Sequence, residues 1–207
     1  MTLPTDYELP AFDAATIARM RAFASLAYET RSVAGSIYVD VGATELHVWP
    51  YETVERHTVC IIGVAGSVTV TDWLANALAR PNRHGYHRGY AIGVDHAMPL
   101  LTAVMRNHVP YGRRVWMASH SRGAGQGYEL LRRLPPNWPV GGLVTFGAPG
   151  VYTRAALARY PHSDRIINVI NAYDPVPRLA VHLHRPGRDT PGPGKWHSLK
   201  HYKPKET

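Results

Sequence analysis

Apolar residues recur at Ile17, Met20, Phe23, Leu26 and Ala27, the spacing of a helix with one buried face, which predicts a helix over 12–29. Segments 36–41 and 44–49 alternate apolar with polar on either side of Gly42-Ala43, the pattern of a β-hairpin. Val59-Cys60-Ile61-Ile62-Gly63 is apolar throughout, as expected of a strand buried on both faces of a parallel sheet. Strand-like runs at 114–118, 143–146 and 166–170 then alternate with helical patterns near 95–106 and 125–133. Alternation of this kind predicts an α/β fold, a mainly parallel central sheet flanked by helices. No repeat or linker interrupts it, and 207 residues at 45% hydrophobic content match a single domain over 1–207 that buries a full core. The one low-complexity stretch, 186–194, is rich in proline and glycine and predicts a mobile loop leading towards residue 197.

The pattern changes abruptly at Ser119-His120-Ser121-Arg122-Gly123. The apolar run Val115-Trp116-Met117-Ala118 stops there, and Gly123-Ala124-Gly125-Gln126-Gly127 opens a helix. A serine on a sharp strand-to-helix turn is lifted clear of the sheet, the layout of a nucleophile elbow. Small residues fit two positions before and after such a serine, and Ser119 and Gly123 supply them.

A serine hydroxyl is a poor nucleophile at neutral pH and needs a base, an acid that orients it, and donors for the oxyanion. Asp174 follows the strand-like run 165–171, so it falls beyond a strand's C-terminal end, where α/β sheets gather catalytic groups. Pro175 and Pro177 stiffen its loop. Further on, Trp196-His197-Ser198-Leu199-Lys200-His201-Tyr202 offers His197 and His201 as bases, and His182 and His184 also follow the acid. His120 reads as a packed residue of the elbow, because neighbours in a strand-turn leave in different directions.

Five blocks in order resemble the class 3 lipases, the fungal triacylglycerol lipase family with its plant and bacterial relatives. Gly66-Ser67-Val68-Thr69-Val70-Thr71-Asp72-Trp73 is similar to the family's oxyanion segment, and His87-Arg88-Gly89-Tyr90 to its His-x-Gly-aromatic block. Ser119 to Gly123 with Val144-Thr145-Phe146-Gly147-Ala148-Pro149-Gly150 looks like the elbow and the strand-turn after it. Asp174-Pro175-Val176-Pro177-Arg178-Leu179 looks like the acid block, and His197-Ser198-Leu199 with Tyr202 like the terminal histidine block. The chain departs from the family at Ser119 and Ala124, where glycine is usual, and at Val64-Ala65, which replaces an aromatic-Arg opening.

The resemblance implies an α/β-hydrolase fold in a small version with little or no lid. It implies Ser121 as nucleophile, Asp174 as acid and His197 as base, with the Ser67 and Arg122 amides as oxyanion hole and the Ser67 hydroxyl as a third donor. The activity implied is lipase or esterase hydrolysis of acyl esters through an acyl-enzyme, without a cofactor. Between the oxyanion segment and His87 only a short helix over 71–80 is expected, stopped by Pro81. That predicts an open site suited to soluble, shorter-chain esters. Thioesterase, acyltransferase or amidase chemistry would use the same residues, and a degenerate basic binding module is the alternative that is not an enzyme.

Composition narrows the setting. Lys and Arg number 23 against 15 Asp and Glu, a formal net charge of +8, with cations gathered at 80–88, at Arg132-Arg133 and around Lys195, Lys200, Lys203 and Lys205. Such a surface keeps a protein soluble and attracts anionic lipid; no nucleic-acid-binding motif accompanies it, so no nucleic-acid partner is expected. Cys60 is the single cysteine, so no intrachain disulfide forms, and its apolar neighbours predict a buried, inert thiol. His182-x-His184 and His84-x-x-His87 lack the cysteine cluster or His-Glu-x-x-His helix of a metal site, and no metal is expected. The first residues show no signal-peptide pattern and no run is long enough to span a bilayer, which makes a cytoplasmic location the default expectation.

Overall fold

The computed structural model describes residues 12–30, 33–42, 44–54, 57–66 and 80–202. Within them seven strands form one sheet in sequence order: β1 (Ile37–Asp40), β2 (Glu45–Val54), β3 (His57–Val64), β4 (Val115–His120), β5 (Val140–Phe146), β6 (Ile166–Ile170) and β7 (Arg188–Pro191). The first two pairings are antiparallel, and every pairing from β3 to β7 is parallel. The helices are α1 (Ala14–Leu26), α2 (Arg88–His108), α3 (Arg122–Arg132) and the single turn α4 (Arg154–Leu157).

The continuous apolar strands split into two cores by their two-residue period. Cys60, Ile62 and Val64 of β3, with Val115 and Met117 of β4, face Tyr90, Val94, Leu101 and Met105 of α2 and Tyr128 and Leu131 of α3. Val59, Ile61, Trp116 and Ala118 face the other way, onto Met20, Phe23 and Ala24 of α1 and onto Tyr202. A fully buried aliphatic side chain stabilises by about 1.5–3 kcal/mol, so cutting Ile62 to alanine is expected to cost roughly 2–5 kcal/mol.

The hairpin forms as expected, and α1 buries Met20, Phe23 and Ala24. Two helices begin earlier than the pattern predicts. α2 starts at Arg88 rather than near Asp95, because burial of Tyr90, Ala91 and Val94 outweighs the low helix propensity of Gly89 and Gly93. Its internal Pro99 removes the hydrogen bond to the Asp95 carbonyl, and both residues are on the exposed side of the helix. α3 starts at Arg122, immediately after Ser121.

The stretch expected to be a loop is corrected in part: Arg188–Pro191 pairs with β6 as the edge strand β7. Asn168 Nδ2 donates to the Asp189 carboxylate at 3.1 Å, and Arg185 clamps the same carboxylate at 2.9 and 2.6 Å. The helix expected over 71–80, and with it the lid region, lies outside the described residues save for Arg80.

Candidate active site

Because β3 to β6 run parallel, their C-terminal ends share one edge of the sheet. Ser121 sits where β4 gives way to α3, with φ 57° and ψ −128°, a backbone conformation L residues rarely adopt. Its N–H donates to the Phe146 carbonyl at 3.0 Å, which fixes the turn against β5. Gly123 is required there, since a Cβ would lie 2.5 Å from the carbonyl oxygens of Val64 and Ala65. Ser119 is tolerated because Gly127 of α3 faces it and leaves room for its hydroxyl.

Asp174 follows β6 and opens a 3₁₀ turn, Val176–Arg178, whose Val176 N–H donates to its Oδ1 at 2.9 Å. The Arg178 guanidinium donates to the backbone carbonyls of Asp174 and Ala172 and so holds the loop. His197 lies beyond β7 on a segment braced by Asn171, whose Nδ2 donates to the Trp196 carbonyl at 2.7 Å and whose Oδ1 accepts from Gly194 N–H at 3.1 Å.

These three residues meet. His197 Nδ1 is 2.9 Å from both carboxylate oxygens of Asp174, and its Nε2 is 2.8 Å from Ser121 Oγ. A carboxylate only accepts, so Nδ1 carries the proton and Nε2 presents a lone pair to the serine hydroxyl. The end of β5 passes so near that a Cβ at Gly147, φ +59°, would fall 2.5 Å from Asp174 Oδ2 and 2.7 Å from His197 Nδ1. Asp174 is fully buried, which works against its charge. The hydrogen bonds from His197, Tyr202 and Val176 outweigh that burial and hold its carboxyl below the usual range.

The other histidines have different partners. His201 lends its backbone carbonyl to Asn171, and the His184 carbonyl accepts from the N–H groups of Val151 and Tyr152. His87 is buried with its ring stacked on Tyr90, 4.0 Å between centroids, at the start of α2. His120 is a packed residue of the elbow, as expected. Of the two oxyanion candidates, Arg122 is the first residue of α3, so its N–H belongs to the four that a helix leaves unpaired. Ser67 lies outside the described residues; the described chain ends beside Ser121 at Gly66, where a Cβ would be 3.2 Å from the serine Cβ.

Three contributors escape a reading of spacing. The Tyr202 hydroxyl donates to Asp174 Oδ2 at 2.5 Å, Asn171 braces the histidine loop, and Tyr28 contacts His120. Tyr202 carries a signal of a sort, since a buried tyrosine needs a partner for its hydroxyl. Cys60 is fully buried, and burial pushes its thiol pKa up to about 12. Arg132 and Arg133 are not free cations: both pair with buried Glu129, at 2.8 and 3.1 Å. Among the described residues no three His, Cys, Asp or Glu side chains cluster as metal ligands, and no helix is long and apolar enough to cross a membrane.

No protein-family model and no curated protein matches this chain. Solved structures do. A Rhizomucor miehei lipase, in complex with its propeptide, is 18% identical with a TM-score of 0.63, covering 92% of this chain and 77% of that one. A triacylglycerol lipase from Penicillium expansum is 19% identical with a TM-score of 0.62, covering 88% of this chain and 82% of that one. The LIP2 lipase of Yarrowia lipolytica is 11% identical with a TM-score of 0.63, covering 95% of this chain and 86% of that one. The resemblance to the lipase family therefore holds for architecture: this chain has the α/β-hydrolase fold of these lipases.

Proposed function

We propose that this protein is a serine carboxylic-ester hydrolase, a lipase or esterase, acting through Ser121, His197 and Asp174. One observation carries the reading: an unbroken hydrogen-bonded line from Asp174 through His197 to the Oγ of a serine on a strand-to-helix turn. In the proposed reaction Ser121 Oγ attacks the ester carbonyl and its proton passes to His197 Nε2. Asp174, ionised and buried, holds the ring in the required tautomer and stabilises the imidazolium as it forms. The tetrahedral oxyanion is met by the Arg122 amide and, in this reading, by Ser67; one such donor is worth about 10²–10³ in rate. His197 then protonates the departing alkoxide. Water, deprotonated by the same nitrogen, releases the acid from Ser121.

The substrate proposed is a lipid or short-chain acyl ester. Tyr173 and Trp196, the residues preceding Asp174 and His197, are 61% and 57% exposed with rings 6.0 Å apart. Exposed Lys195 and Lys200 lie on the same segment. Aromatic rings beside lysines favour an acyl or anionic lipid surface. Hydrolysis of a chromogenic ester series from acetyl to palmitoyl, by wild type and Ser121→Ala in parallel, tests the proposal. Turnover lost in the variant supports a serine esterase, and the chain-length profile separates esterase from lipase. Absent turnover, with Ser121 unreactive towards a fluorophosphonate, would overturn it in favour of a binding module.

A further inference from the structure

A second line of hydrogen bonds runs behind the first. His120, the last residue of β4, is buried, with Nε2 2.7 Å from the backbone carbonyl of His197 and Nδ1 2.7 Å from the Tyr28 hydroxyl. A carbonyl oxygen only accepts, so Nε2 carries the ring proton and Nδ1 is the acceptor. Tyr28 therefore donates its hydroxyl proton to Nδ1, and its oxygen accepts the backbone N–H of Gly66. The approach is close enough that a Cβ on Gly66 would lie 2.3 Å from that oxygen. The relay reads Gly66 N–H to Tyr28, Tyr28 O–H to His120, His120 N–H to His197, every donor pointing the same way, an arrangement in which each bond polarises the next.

The relay touches three loops that the proposed chemistry needs in register. Gly66 stands at the exit of β3, one residue before Ser67; His120 precedes Ser121; and His197 lies on the braced segment after β7. Asn171 grips the carbonyls of Trp196 and His201, on either side, and leaves that of His197 to His120. The two imidazoles also stack, 4.6 Å between centroids and 29° apart. Burial, with the neighbouring His197, pushes the His120 pKa down to about 3, so its ring stays neutral beside an imidazolium. With both nitrogens engaged, His120 is no reserve base.

We propose that Tyr28 and His120 are positioning residues of the reaction: they lock the backbone of His197 to the Ser121 turn and to the oxyanion loop, so that one imidazole reaches Asp174 and Ser121 together. This rests on the triad reading above. Since misplacement of a catalytic group by about 1 Å lowers rate on the order of 10²-fold, the effect belongs in kcat and not in binding.

The experiment compares wild type, Ser121→Ala, Tyr28→Phe, His120→Leu and His120→Gln on a soluble short-chain ester, with kcat and KM resolved separately. Tyr28→Phe is expected to lower kcat on the order of 10-fold, the scale of one lost hydrogen bond. His120→Leu is expected to lower it by about 10²-fold, with KM within about 2-fold in both. His120→Gln, whose amide keeps an N–H for the His197 carbonyl, recovers most of that loss. Wild-type kcat in Tyr28→Phe, or no recovery by glutamine over leucine, overturns the relay. If Ser121→Ala is inactive in the same assay, the triad reading survives that result; if Ser121→Ala turns over, both fall. Should His120→Leu fail to fold, Tyr28→Phe decides alone.

Discussion

Asp174 and Glu129 are both fully buried carboxylates, and both accept from three donor groups. The donors differ in kind. Glu129 faces two guanidinium groups, Arg132 and Arg133, and the Tyr152 hydroxyl at 2.8 Å, so its charge is answered permanently. Asp174 receives an imidazole, a phenol and a backbone N–H, while its nearest guanidinium, Arg178, is turned to main-chain carbonyls. A fixed cation on Asp174 would spend the carboxylate's field before the reaction began. Left with neutral donors, that field is free, in the proposed reaction, to act on the positive charge that would develop at His197 as Ser121 gave up its proton. Equal burial thus meets two settings: one carboxylate ties α3 to its surroundings, and the other, under the proposed mechanism, waits for a charge.

The contrast can be broken by substitution. Ser121→Ala is expected to lower kcat on the order of 10⁶-fold in ester hydrolysis without unfolding the chain. Asp174→Asn removes the waiting charge and should lower kcat by about 10⁴-fold; a rate near wild type would strike Asp174 from the mechanism. Glu129→Gln should act on stability instead, costing about 2 kcal/mol in denaturant unfolding, less than a fully buried pair because the guanidinium side chains are 24% exposed. Its kcat per folded molecule should stay at the wild-type value, and a matching fall in kcat would erase the distinction.

The acid side of the stability profile sharpens the comparison further. The Asp174 pKa is lower folded than unfolded, so its stabilisation is complete above the unfolded value near 4 and drains away as pH falls through the folded one. Wild type should therefore lose stability below about pH 4, and Asp174→Asn should show a flatter acid limb in thermal melts. The smallest effect is expected at the surface. Lys195→Gln and Lys200→Gln should each weaken sedimentation with anionic vesicles by about 5-fold, the scale of one cation near such a surface, and leave neutral vesicles unaffected.

Much of this architecture was legible because burial on both faces leaves apolar runs, unbroken at 59–64 in β3 and 115–118 in β4 and interrupted only by Thr145 in β5 and Asn168 in β6. β7 was not: Arg188–Pro191 is an exposed edge strand held by Asn168 and Arg185, with no apolar alternation and with a proline that only an edge tolerates. The start of α2 was hidden by Gly89 and Gly93, whose low propensities tertiary packing overrides. At the site, the serine and the acid stood out through strand-end placement, whereas chain order alone left His201, His182 and His184 open beside His197. Asn171 separates His197 from His201 in space, by holding the segment so that the first of the two turns inward. Tyr28 lies 92 residues from its partner His120, a contact no local pattern encodes.

The backbone at Ser121 has an evolutionary corollary. Its φ of 57° suits glycine and is unfavourable for any other residue by about 1–3 kcal/mol. Ser121→Gly should therefore relieve the turn and raise the melting temperature while removing the hydroxyl proposed to attack. Selection for robustness alone would drift towards glycine at this position. Under the proposed mechanism, serine at this position trades endurance for reactivity, and the hardiest version of this fold would be an inert one.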